Sequence, residues 1–138
     1  MTKREEVLQA LFAVLVGTGI PCRRNDPKTE HIPAGGLMVL HDGDPGEPEA
    51  TMSPAMWHFI HSAQIDMFAA GANRDTVFDA MCEAVAQAIE ADRTLGGVCD
   101  LCLPDAPVQS QMDDYGAVPV KAASVQVSLY YATTDPLG

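Results

Sequence analysis

The chain has 138 residues, 47% of them hydrophobic and 20% charged, which fits one soluble globular domain and excludes a disordered chain. Eight Lys and Arg stand against nineteen Asp and Glu, a formal charge of −11. That balance excludes binding of nucleic acid through phosphate contacts and disfavours an anionic membrane surface, because both need a basic face.

Thr2-Lys3-Arg4-Glu5 has the form of a capping box, with Val7, Leu8, Leu11, Phe12 and Leu15 on one helical stripe after it. Gly17 and Gly19 stop the pattern, so a helix is expected over 3–16. Glu5 and Glu6 occupy the place of a positive n-region, so the start is not read as a signal peptide, and a cytoplasmic chain is expected. Residues 20–35 carry Pro21, Pro27 and Pro33 among charges and read as an extended connection, with room for a short strand near Cys22. The apolar run 36–41 suits a buried strand.

Asp42 to Ala55 is rich in Gly, Pro and acids and reads as a solvated loop or hairpin arm. From 56 to 68 the pattern alternates: Trp57, Phe59, His61, Ala63, Ile65 and Met67 share one face, while His58, Ile60, Ser62, Gln64, Asp66 and Phe68 share the other. A long strand follows from that period. Asn73 is placed to cap a second helix whose stripe is Phe78, Met81, Cys82, Val85, Ala88 and Ile89. A short strand is expected within 98–103, a loop or arm over 104–119, and a last alternating strand over 121–132.

The element order does not alternate regularly. It predicts a single α+β domain over 1–138: a largely antiparallel or mixed sheet of four to five strands, with two amphipathic helices packed on one face. Phe12, Trp57, Phe59, Phe78, Val85, Val127 and Leu129 are the expected core.

Motifs that carry chemistry are sparse. Cys99-Asp100-Leu101-Cys102 is a single C-x-x-C without the second knuckle a structural zinc site needs, and the proline-rich sequence after it cannot form the helix of a thioredoxin-like site. Buried or half-buried free thiols are expected. On a strand, His58 and His61 point to opposite faces and cannot share a metal. Asp42-Gly43-Asp44-Pro45-Gly46-Glu47 departs from a calcium loop at its sixth position, where Glu47 replaces glycine. Gly17-Thr18-Gly19 lacks the third glycine of a dinucleotide loop, and neither G-x-x-x-x-G-K nor G-x-S-x-G occurs. No catalytic residue, metal or cofactor is expected.

The opening Thr2 to Leu11, Arg24-Asn25 with Ile32-Pro33-Ala34-Gly35-Gly36, the acidic stretch Asp42 to Glu49, Asp92 to Gly97 and the end Tyr131 to Gly138 together resemble small tail-completion or tail-terminator proteins of long-tailed phages and prophages. The resemblance spans nearly the whole chain and is one of texture and element order. It implies a non-enzymatic α+β subunit of a homo-oligomeric, six-membered ring. Such a ring caps the tail tube and meets the head, so the implied partners are the tail tube protein and the head–tail connector. The implied locations are the host cytoplasm during assembly and the virion tail. The rival expectations are a head–tail connector component, a monomeric binding module or assembly chaperone, and a small thiol- or metal-dependent enzyme using Cys99 and Cys102.

Charge is uneven. Residues 1–41 carry net +1 and residues 42–138 net −12. For a ring with heterologous contacts, the basic connection (Arg23, Arg24, Lys28) is the expected cationic patch and the arm bearing Asp42, Asp44, Glu47 and Glu49 its acidic partner on the neighbouring subunit.

Overall fold

A computed structural model describes residues 1–26, 31–110 and 118–138. Helix α1 runs Lys3–Val16, the span its stripe predicts, and buries Val7, Leu8, Leu11 and Leu15. Only half of the capping box forms. The Thr2 hydroxyl accepts from the Glu5 amide at 3.2 Å, but the Glu5 carboxylate turns instead to Arg24. Helix α2, Arg74–Ala91, buries Phe78, Met81, Val85 and Ile89. Asn73 precedes it without capping it: its side chain bonds to no helix amide.

Among the described residues, seven strands form one mixed sheet: β1 Cys22–Arg24, β2 Leu37–Asp44, β3 Glu49–Thr51, β4 Met56–Ala70, β5 Leu101–Pro104, β6 Val108–Ser110 and β7 Val120–Thr133. The expected four to five strands are therefore too few. The expected loops near 42–55 and 104–119 hold the missing ones, β3 and β6, and residues 42–44 extend β2. Every residue of β3 and β6 is exposed, so neither carries the apolar alternation by which a strand is read. Residues 111–117 of the second arm lie outside the described residues.

The long strands organise the rest. β4 and β7 pair antiparallel from Trp57↔Thr133 to Ala70↔Val120. β2 and β3 share the other edge of β4, and β5 and β6 share the other edge of β7. β1 lies parallel outside β2. The seven strands thus fill five rows.

Phe59, Ala63, Ile65, Met67 and Ala69 of β4 join Val125, Val127, Leu129 and Tyr131 of β7 and the buried residues of both helices in one core cluster. Five of the seven expected core residues lie within it. Phe12 and Trp57 pack against its rim and are half-buried. A register shift, a bulge in β2, separates His41 from Asp44, which still pairs with Ser62 of β4. Gly43 makes that bulge possible: its φ is +70°, and a Cβ there would run into the carbonyl oxygen of Ser62.

Candidate interaction surface

Arg24 is the charged centre of one end of the sheet. Because β1 lies alongside β2, Arg24 sits opposite Leu40 and reaches two acids that are remote in sequence. Its Nε donates to Asp42 Oδ1 at 2.9 Å, while Nη1 and Nη2 donate to Glu5 Oε1 and Oε2 at 2.6 and 2.8 Å. This fork ties α1 and β1 to the end of β2 and leaves the Arg24 side chain only 20% exposed. The Arg24 hydrogen bonds hold the Glu5 carboxyl below its usual range. Burial would raise the Asp42 carboxyl, but its bonds with Arg24 and Asn25 outweigh that and lower it.

The two charges that the sequence assigns to opposite sides of a subunit contact, Arg24 and Asp42, therefore meet within one chain. Arg23 points elsewhere and pairs with Asp26 at 3.0 Å, about half exposed. Lys28 lies outside the described residues. Asp44 accepts from the Gly46 amide at 2.8 Å and shapes the turn that leads to Glu47 and Glu49.

Those two glutamates border a groove of about 540 Å³ on the face of β4 opposite the core. Its floor is the cross-strand pair Ile60 and Tyr130; Asp100 closes the far side. Ile60 is 60% exposed although its strand neighbours on that face are polar. His58 lies opposite Glu49, and its Nε2 is 2.9 Å from Thr51 Oγ1. Among the described residues, Glu47, Glu49 and Asp100 form no ion pair.

Beyond the groove the same face carries a polar ladder. Ser62 donates to Gln126 Oε1 at 2.8 Å, and Gln126 donates to Gln64 Oε1 at 3.0 Å. Gln64 and Ser124 both donate to Asp66 Oδ1, at 2.7 and 2.8 Å, and His41 Nε2 is 2.9 Å from Asp66 Oδ2. The ladder joins β2, β4 and β7 and makes this face a rigid, wettable platform.

The groups with reactive potential sit on the core side. His61 is 1% exposed, as the alternation predicts, and points away from exposed His58. Its Nε2 lies 2.5 Å from the Asp42 carbonyl oxygen and its Nδ1 2.8 Å from the Tyr131 hydroxyl. A carbonyl can only accept, so Nε2 carries the proton, and the neutral ring accepts from Tyr131 at Nδ1. Burial lowers the His61 pKa and raises that of Tyr131 to about 12. The ring is thus fully bonded in its neutral form.

Cys99 and Cys102 are buried at the entry to β5, not at a helix N-terminus. Burial pushes both thiols up, Cys102 to about 12. A thiol so raised is protonated at neutral pH and is a poor nucleophile and a poor metal ligand. Cys82, expected in the core, is half-buried against it, its sulfur 4.0 Å from that of Met67. Among the described residues no group of three or more His, Cys, Asp or Glu is arranged to hold a metal ion.

Glu47 and Glu49 are the expected interface residues that reach the groove; Ile60, Tyr130 and Asp100 were not singled out from sequence. One signal for them exists: Ile60 is the apolar residue between His58 and Ser62 on an otherwise polar face. No protein-family model matches the chain, and no curated protein matches it.

Proposed function

We propose that the chain is a structural subunit of a long-tailed phage tail, of the terminator or completion kind, which closes into a six-membered ring. In this reading both helices pack on one face of the sheet. The ring caps the tail tube and meets the head–tail connector, first in the host cytoplasm and then in the virion tail. The observation that carries the reading is the division of the sheet. One face faces the core, where His61 is neutral and bonded and Cys102 is buried and protonated. The other presents a braced polar ladder beside an apolar-floored groove. Such a surface suits protein contacts better than bond-making chemistry. The resemblance of the chain's segments to tail-completion proteins supports the same reading.

Charge supports it in a second way. The ring needs no basic face, and an acidic channel wall would let DNA pass without holding it. No helix among the described residues is long and apolar enough to cross a membrane. Electron micrographs of the purified protein, alone and beside assembled tail tubes, test the proposal. Rings with a central hole are expected. A protein that stays monomeric in both settings sinks it.

A further inference from the structure

We propose that the groove beside β3 takes an extended, arginine-bearing segment of a different protein. The guanidinium would sit between Glu47, Glu49 and Asp100, and a neighbouring apolar side chain would lie on Ile60 and Tyr130. Three observations converge. The groove is concave, and its volume of about 540 Å³ holds more than one side chain. Its floor exposes an isoleucine at 60% beside a tyrosine, so docking an apolar group there removes apolar surface from water. Its rim carries three carboxylates that no described cation neutralises. Guanidinium also stacks favourably on a tyrosine ring, which a lysine ammonium does less well.

Among the described residues, no cation of the chain pairs with these carboxylates. Arg4, Arg23, Arg24, Arg74, Arg93 and Lys121 each donate to an acceptor within the chain. Two copies of a chain at −11 also repel one another, whereas a basic segment is drawn in from a distance. The groove is formed within a single chain, so it is present whether or not the subunits close into a ring.

The test titrates the full-length, isotope-labelled chain with an acetylated, amidated Arg-Leu-Arg-Leu-Arg peptide at low ionic strength, read by amide shifts. Shifts centred on Glu49, His58, Ile60, Asp100 and Tyr130 are expected. Combined Glu47→Gln, Glu49→Gln and Asp100→Asn should weaken binding about tenfold or more. A charge-matched control on the exposed side of α2 (Asp79→Asn, Glu83→Gln and Glu90→Gln) should leave it within about twofold. Ile60→Ser keeps every charge and should still weaken binding severalfold. Equal losses from the two triple variants, shifts spread over the whole acidic surface, no effect of Ile60→Ser or no binding by the wild type would each overturn the proposal. Self-association that the groove triple abolishes would assign the groove to a second copy and overturn it as well.

Discussion

At the scale of single residues, buried His61 and the Arg24-bound carboxylates of Glu5 and Asp42 set the response to acid. His61 is held neutral by burial, below its ordinary value near 6.5. Under mildly acidic conditions the unfolded chain therefore takes up a proton that the native chain refuses. Its contribution is constant above about pH 6.5 and falls as the pH drops below that. Glu5 and Asp42 have lowered values, so what they contribute is present above about pH 4.5 and is lost as the pH falls through their native values. Denaturation midpoints measured across pH should show two separable declines. His61→Gln should flatten the first and spare the second; Arg24→Ala should remove most of the second. A first decline that survives His61→Gln would disprove its assignment. At neutral pH, Arg24→Ala should cost about 1–2 kcal/mol, between the values for exposed pairs and for buried charged hydrogen bonds. Arg24→Lys should recover only part, because an ammonium cannot reproduce the fork to both acids. The opposite faces of His58 and His61 could be read from a period of two. The partners of Arg24 could not, since Glu5 and Asp42 become its neighbours only when β1 lands beside β2.

At the scale of elements, α1, β4 and β7 were legible because each is long and half-buried, so its apolar period repeats several times. The α1 bounds coincide with the expected 3–16, and β4 and β7 each extend the expected spans by a residue or two. β3 and β6 were not legible. Each has three exposed residues whose pairing comes from backbone groups and from the long strand beside it. Helix α2 depends on its stripe and not on its cap. Phe78 is 8% exposed with the Lys121 ammonium 4.9 Å above its ring. Phe78→Ala should cost about 3–5 kcal/mol in chemical denaturation, mostly from the cavity. Lys121→Ala should cost well under that, about 0.5–1 kcal/mol for a half-open cation–π contact. The bulge in β2 gives a sharper expectation. At Gly43 the obstacle to a Cβ is the Ser62 backbone, whereas at Gly36 it is chiefly the flexible end of Met81, with the Phe68 carbonyl oxygen farther off at 3.2 Å. Gly43→Ala should therefore destabilise the fold by about 2–4 kcal/mol, combining overpacking with left-handed strain. It should cost more than Gly36→Ala, and the reverse order would contradict the bulge geometry.

For the whole molecule, charge decides what kind of contact can close a ring. Exposed ion pairs contribute only about 0–1 kcal/mol each. Arg24 of the basic connection is already engaged by Glu5 and Asp42. Subunits of −11 approaching one another thus meet net repulsion, and the proposed ring would draw its affinity from apolar burial. Salt then has a definite sign. Raising ionic strength from about 0.01 M to 0.1 M shortens the screening length from about 30 Å to about 10 Å. That weakens repulsion between whole subunits while leaving apolar contacts intact. The proposed ring should therefore form at lower protein concentration as salt rises, measured as weight-average mass by sedimentation. Arginine-peptide binding in the groove should weaken over the same range. If the ring instead dissociates as salt is added, ion pairs hold it together, and Arg23 and Lys28 become the residues to reverse in charge. Opposite responses of the two equilibria would mark the subunit contact and the acidic groove as physically separate surfaces.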